Sequence, residues 1–444
     1  MREVEQDSAD SRIPFPPVGR DNERVHGMSK LMIEGGRRLH GDVPVHGAKN
    51  GALPILAAAI LADSESVIQN CPNLSDVDAA IAILTYLGCR VTRENNTVAI
   101  DPTSISQSDI PDELMREMRS SIVFLGAIVS KLGQATLSFP GGCELGPRPI
   151  DLHLSALRQL GLDIKEQHGI LECKVNGRLR GAQIALSFPS VGATENIILA
   201  AVKAQGDTIL TNAAREPEIA DLAAYLNACG AKIYGAGEGT IRICGVDSLH
   251  GVQHRVIPDR IVAATYMAIA AITQGEVNVL DINPSHLSSV IPTFEEAGCS
   301  IKKYTNALSL RLNHRPRSVK MVRTMPYPGF PTDAQSPLMA LMTVADKTSV
   351  FVENIFESRY KHVSELLRLG ANIKVEGRMA VIEGVEKLSG APVQSTDLRG
   401  GAALVIAGLA AEGVTEISGL NHIDRGYENI TENLNALGAA IRRE

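Results

Sequence analysis

The chain contains no tryptophan, and aromatic residues make up only 4% of it, so any core must be built from Ala, Val, Ile and Leu. It has no run of roughly eighteen uninterrupted apolar residues, and so no helical membrane span. Positive charge is not in excess: 43 Lys and Arg against 50 Asp and Glu leave a net charge of −7. That balance argues against a nucleic-acid surface or a polybasic membrane patch. No C-x-x-C pair occurs among the seven cysteines, an odd number, at 71, 89, 143, 173, 229, 244 and 299. Such usage favours reduced thiols in a cytoplasmic setting over a disulfide framework or a zinc site. The histidines lack metal-ligand spacing, so neither a metal nor another cofactor is expected. No G-x-x-x-x-G-K-[ST] motif is present, and "YGAGEGT" (Tyr234 to Thr240) joins two expected strands without a following helix, so it is a hairpin turn. Residues 1–27 lack the apolar centre of a signal peptide and read as a disordered extension.

What the chain does have is an internal repeat. A glycine ends an amphipathic run and precedes an alternating one in "YLGCRV" (Gly88), "QLGLDI" (Gly161), "ACGAKI" (Gly230), "EAGCSI" (Gly298), "RLGANI" (Gly370) and "ALGAAI" (Gly438), at intervals of 68 to 73 residues. Each glycine has the position of a left-handed residue just past a helix end. Upstream of each amphipathic helix lies another that is apolar nearly all round, such as "ATENIILAAVKAQG" or "IVAATYMAIAAITQG", and that pattern demands burial. The unit is therefore buried helix, strand, loop, half-buried helix, strand, strand. The sixth copy runs out of chain, and residues 30–46 resemble its missing strand. An α/β fold of two lobes with three units each follows: 28–48 plus 258–444, and 49–257. A solenoid is the alternative, but units of about 70 residues exceed the usual repeat of roughly 20–50.

The polar residues gather at two places on this scaffold. Lys49 and Asn50, Arg119, Ser190 to Asn196, Asp259 and Arg260, Asp333, and Asp397 with Arg399 stand at the entrances of the buried helices. Helix N-termini that open onto one region suit an anion. The other loops carry Cys143, Arg148, Arg215, Glu216, Arg359 and Arg425, a set suited to a small polyanion held by forked donors. Simpler readings exist for each. Asp333 and Asp397 could be helix caps, "AREPEI" a salt bridge at a helix start, and Arg215, Arg260 and Arg359 surface charges. Six of the cysteines sit in or beside apolar runs and read as core. Cys143 does not, because "PGGCELGPRPIDLH" is a Gly- and Pro-punctuated loop in which a neighbouring cation would activate a thiol.

Taken with "GAKN", "SVGATEN", "NAAREPEI", "PDR", "FPTD", "GVEKLSGA", "TDLR" and "HIDRGYE", this organisation closely resembles the enolpyruvyl transferase family, specifically its UDP-N-acetylglucosamine 1-carboxyvinyltransferases, from Met28 to Glu444. The resemblance implies an inside-out α/β barrel in each lobe and an active site in the cleft between them. It implies transfer of the enolpyruvyl group of phosphoenolpyruvate to the 3′-hydroxyl of UDP-N-acetylglucosamine with release of phosphate. That reaction is the first committed step of peptidoglycan synthesis in the cytoplasm.

Residue by residue, the resemblance assigns Lys49, Arg148 and Arg425 to the phosphate, with Arg119 in support, and Arg399 and Arg359 to the carboxylate. Asn50 would meet the acceptor hydroxyl or the tetrahedral intermediate. Asp333 would be the base, Asp397 a stabiliser of cationic character or part of a proton shuttle, and Cys143 the acid at the terminal carbon. The thiol also implies inactivation by fosfomycin. The sugar nucleotide would lie along Arg148, Pro149, Ile150, Asp151, Leu152 and His153, with Ser190, Val191, Gly192, Asn50, Asp333 and Ile355. Phe188 and Pro189 stand where some members carry a lysine. No partner beyond the two small-molecule substrates is implied, and the expected state is a monomer or weak homo-oligomer. The rival within the architecture is 5-enolpyruvylshikimate-3-phosphate synthase, against which Cys143 and "RPIDLH" argue. A catalytically silent nucleotide-sugar sensor is the rival of another class.

Overall fold

The computed structural model describes residues 29–118, 120–139 and 150–444. Six four-stranded sheets carry the described strands, one for each expected repeat. The third unit shows the pattern. Strand Asp207–Thr211 pairs antiparallel with Thr240–Cys244, which pairs antiparallel with Lys232–Tyr234. On the far edge, Gln183–Ala185, contributed by the preceding stretch of chain, adds in parallel. The "YGAGEGT" segment is thus a hairpin connection. The unit glycines Gly88, Gly161, Gly230, Gly298, Gly370 and Gly438 have φ between 90° and 104°, each directly after a helix C-cap. That is the left-handed conformation in which a side chain would be strained.

The N-terminus closes the ring, though not wholly as expected. Leu31–Glu34 is the missing strand of the sixth unit, lying between Val414–Ser418 and Ala440–Arg443. The rest of the 30–46 stretch departs from that reading. His40–Pro44 joins a different sheet, in parallel with Glu276–Leu280 of the fourth unit. An irregular link at 35–39, in which Gly36 takes a φ of 82°, lets one short segment serve two sheets.

Apolar helices fill the interior. Lys49–Ala58, Phe124–Leu132 and Val191–Ala201 belong to one buried cluster, and Arg260–Ile272, Thr332–Met342 and Leu398–Ala410 to a second. With sheets outside and helices inside, each lobe is an inside-out α/β barrel. Alanine and glycine let these helices approach closely, which offsets the shortage of aromatic bulk. The two crossings between the lobes are themselves paired. Ala48 N donates to the Ile257 carbonyl at 2.7 Å, and Asp259 N donates to the His46 carbonyl at 3.0 Å. The start of Lys49–Ala58 and the start of Arg260–Ile272 are therefore fixed side by side. No helix among the described residues is long and apolar enough to cross a membrane.

Candidate active site

The site begins at the two crossings. Asp259 caps Arg260–Ile272, its Oδ1 accepting from Ile261 N at 2.8 Å and Val262 N at 3.0 Å. Its Oδ2 accepts from Lys49 N at 3.3 Å, so one carboxylate ties together helix starts from both lobes. Asn50 follows in the first turn, half-buried. From this anchored start the Lys49 Nζ reaches Asp76 Oδ2 at 2.9 Å.

Asp76 lies in the first turn of Ser75–Tyr86, where the helix dipole favours an anion. Its second oxygen takes Arg425 Nε at 2.8 Å, and Arg425 belongs to the opposite lobe. The Asp76 side chain is only 3% exposed. Burial pushes its carboxyl up, but Lys49 and Arg425 outweigh burial and hold it below the usual carboxylate range. Lys49 and Arg425 thus meet through a carboxylate that the sequence reading missed.

A second charged group forms inside the other lobe. Asp333 is not a cap: Pro331 holds that position, and Asp333 occupies the first turn of Thr332–Met342. Its Oδ1 lies 2.9 Å from Arg359 Nη2 and its Oδ2 3.5 Å from Arg399 Nη2. Burial again pushes the carboxyl up, and Arg399, Arg359, Lys49 and Arg260 drive it well below its ordinary value. Both arginines are 2% exposed, so Arg359 is no surface charge. Arg399 is held by Tyr427, whose hydroxyl accepts from Nη1 at 3.1 Å and whose ring lies 5.4 Å from the guanidinium carbon.

Asp397 does cap its helix, Oδ1 accepting from Arg399 N at 3.1 Å and Gly400 N at 2.9 Å. Its Oδ2 is buried with no partner among the described residues. His362, another residue the sequence reading missed, lies beside it. A Cβ built on Gly400 would sit 2.5 Å from Asp397 Oδ2 and 2.8 Å from His362 Cβ. Among the described residues neither nitrogen of this buried imidazole has an aligned hydrogen-bond partner, although the Arg359 backbone lies close enough to favour the charged ring. Burial prevails over the pull of Asp397 and lowers the His362 pKa to about 4.

The segments expected to hold a nucleotide also meet. Ser190 caps Val191–Ala201, its hydroxyl accepting from Ala193 N at 3.3 Å. A Cβ at Gly192 would lie 3.1 Å from His153 Cε1. Ile150 caps the helix Asp151–Gln159 in position only, Asp151 is exposed, Leu152 half-buried and His153 buried. Ile355 is on the Arg359 loop, donating its N–H to Glu353 Oε1 at 2.7 Å, while Glu353 Oε2 accepts from the Thr332 hydroxyl at 3.0 Å. No described contact joins Ile355 to Ile150–His153. Arg260 also departs from the surface-charge reading, pairing with buried Glu218 at 3.0 Å; Arg215 is exposed. "AREPEI" is therefore not a local salt bridge, because Glu218 finds its partner on the helix Arg260–Ile272.

Cys143, Arg119, Arg148 and Pro149 lie outside the described residues. Of the other cysteines, Cys71, Cys89, Cys173, Cys229 and Cys299 are buried and Cys244 is partly so. Burial pushes the Cys71, Cys173 and Cys299 thiols up to about 12, as suits core residues.

Lys49 and Arg425 on Asp76, and Arg359 and Arg399 on Asp333, are two cation pairs linked by the pull of Lys49 on Asp333, an arrangement suited to a small polyanion. The model of EPSP synthase (3-phosphoshikimate 1-carboxyvinyltransferase) matches residues 33–434. The chain belongs to this enolpyruvyl transferase family. It is 52% identical to UDP-N-acetylglucosamine 1-carboxyvinyltransferase 2 of Caldanaerobacter subterraneus subsp. tengcongensis over 94% of the chain and 100% of that protein. It is 50% identical to UDP-N-acetylglucosamine 1-carboxyvinyltransferase of Halothermothrix orenii over the same shares. Among solved structures, the enolpyruvyl transferase NikO from Streptomyces tendae superposes with a TM-score of 0.85 at 26% identity, covering 94% of this chain and 99% of that one. EPSP synthase from Acinetobacter baumannii, at 20% identity, shares the fold with a TM-score of 0.74 over 94% and 100% of the two chains.

Proposed function

We propose that this enolpyruvyl transferase moves the enolpyruvyl group of phosphoenolpyruvate to the 3′-hydroxyl of UDP-N-acetylglucosamine, releasing phosphate, as the first committed step of peptidoglycan synthesis in the cytoplasm. The observation that carries the assignment is the Asp333 carboxylate held between Arg359 and Arg399 within the electrostatic reach of Lys49. Phosphoenolpyruvate presents a carboxylate and a phosphate on one small frame, and two cation pairs meet those two charges. Arg359 and Arg399 take the carboxylate; Lys49 and Arg425, joined by Arg119 and Arg148, take the phosphate. The working lobe boundaries are 28–48 plus 258–444 and 49–257, and the working state is a monomer or weak homo-oligomer.

The reaction needs a proton on the terminal carbon while the sugar oxygen bonds to the central one. Asp333 accepts the hydroxyl proton. As long as two guanidinium groups hold it, this carboxylate is a weak base. A substrate carboxylate that engages Arg359 and Arg399 draws them away and raises the basicity of Asp333 where it is needed. Cys143 delivers the proton to carbon. The free Asp397 Oδ2 stabilises positive character at the central carbon. The tetrahedral adduct then loses that proton and phosphate together, and the enol ether remains on the sugar. Ser190, Val191 and Gly192 supply N–H groups at a helix start for the diphosphate. Ile150, Asp151, Leu152, His153 and Ile355 frame the nucleotide and sugar, with Asn50 at the acceptor hydroxyl.

The test is phosphate release from phosphoenolpyruvate with each acceptor in turn. Release with UDP-N-acetylglucosamine and none with shikimate 3-phosphate is the expected outcome, and the reverse preference would overturn the assignment. Binding of the sugar nucleotide without any release would point to a silent sensor. Full turnover by Asp333→Ala would remove the base assignment alone.

A further inference from the structure

Asp76 has no part in the steps above, yet it touches both cations assigned to the phosphate. Its two oxygens take Lys49 Nζ at 2.9 Å and Arg425 Nε at 2.8 Å. Stability is a poor explanation for such a triad, because buried ion pairs are near neutral against apolar replacements of similar volume. The geometry fits another purpose. Arg425 is bound through Nε, and its terminal Nη1 and Nη2 nitrogens donate no hydrogen bond among the described residues. Those two form the fork that grips a phosphate edge-on. Lys49 likewise keeps donors beyond the one it gives Asp76.

We propose that Asp76 is a positioning residue that pairs Lys49 with Arg425 across the cleft and, as a fixed negative charge beside them, keeps bound phosphate exchangeable. The proposal rests on the phosphate site assigned above. The two effects oppose each other in affinity. Orientation of the Arg425 fork strengthens phosphate binding, and the carboxylate charge weakens it. An enzyme that binds a phosphate ester and must release inorganic phosphate at every turnover gains from such moderation, since cations without a counter-charge would retain the product.

Asp76→Asn removes the charge while keeping the orientation of the Arg425 fork, because the amide oxygen still accepts from Arg425 Nε; the amide nitrogen is a donor and gives up only the contact with Lys49 Nζ. Inorganic phosphate, titrated by calorimetry, is expected to bind the variant about tenfold more tightly or better, even after strong dielectric screening. In turnover the variant is expected to show a lower kcat together with a lower KM for phosphoenolpyruvate, the mark of slowed product release. A merely structural role would instead weaken phosphate binding and raise KM. Phosphate affinity equal to or below wild type in Asp76→Asn overturns the proposal. If the single variant does not fold, Arg425→Gln is compared with Arg425→Gln/Asp76→Asn, which lacks the uncompensated cation pair. Tighter phosphate binding by the double variant supports the proposal, and equal or weaker binding overturns it. Wild-type protein that binds no phosphate, or whose binding is indifferent to Lys49→Ala and Arg425→Gln, overturns the phosphate site and the role of Asp76 with it. The enolpyruvyl transfer itself would still stand or fall on the acceptor assay.

Discussion

Arg359 Nη2 donates both to the Thr332 carbonyl and to Asp333 Oδ1, each at 2.9 Å, so one guanidinium fixes the start of a buried helix and the acid beside it. The same arrangement makes Asp333 a competitor for whatever else Arg359 and Arg399 bind. Asp333→Asn removes the charge at nearly constant shape. The expected turnover is about 10²- to 10⁴-fold lower, the usual contribution of a positioned base. Phosphoenolpyruvate, measured by calorimetry, should nevertheless bind several-fold more tightly. Loss of turnover with weaker binding would mean that Asp333 supports the arginines and does not compete with substrate.

Much of the architecture was legible because it is written locally. A glycine after a helix end needs no distant partner to take its left-handed conformation, so all six units could be counted. The apolar helices were equally plain, since a helix without a polar face has nowhere to go but inside. Asp76 was illegible for the opposite reason. In "NLSDVDAA" it looks like any acid favoured by a helix start, and its partner Arg425 stands 349 residues away. His362, in "RYKHVSEL", has the look of a solvent-facing helix start, and only the fold places Asp397 and Gly400 against it. The strand His40–Pro44 was merged with its neighbour because nothing in the alternation shows a change of sheet.

His362 should leave a signature in acid. Its folded pKa of about 4 lies below the ordinary value of 6.5. The unfolded chain therefore binds the extra proton first, and the stability this group supports is fully present above pH 6.5 and is lost as pH falls toward 4. At most that is ~3 kcal/mol. In His362→Gln the pH-dependent portion is absent, so the stability difference between wild type and variant narrows across this window in urea titrations. Parallel curves for the two proteins between pH 7 and pH 4 would rule out a neutral buried imidazole.

Glu195 acts with the opposite sign. It is buried on the inner helix Val191–Ala201, and burial, with help from Glu218 and Glu216, raises its pKa well above the ordinary 4.5. Its folded form keeps a proton that the unfolded chain releases, so stability declines as pH rises through and beyond 4.5. Glu195→Gln is expected to match wild type near pH 4 and to exceed it by a margin that grows as pH rises toward 7.5. Equal midpoints of urea unfolding at the higher pH would mean that the carboxyl is ionised in place.

Asn196 illustrates how a polar residue near a site can serve the scaffold first. The sequence groups it with the charged helix entrances, but it is fully buried and links three segments. Its Oδ1 accepts from Gly126 N at 2.6 Å, and its Nδ2 donates to the Ile122 carbonyl at 2.8 Å and lies 3.0 Å from His153 Nδ1. Two inner helices and the expected nucleotide segment thus share one amide. Asn196→Ala leaves a buried N–H and a buried carbonyl without this partner, a loss of about 3 kcal/mol or more. Because His153 lies against Gly192, the variant should also bind UDP-N-acetylglucosamine more weakly while inorganic phosphate binding stays within twofold. If thermal unfolding drops and both affinities fall together, Asn196 supports the whole lobe and not the nucleotide wall in particular.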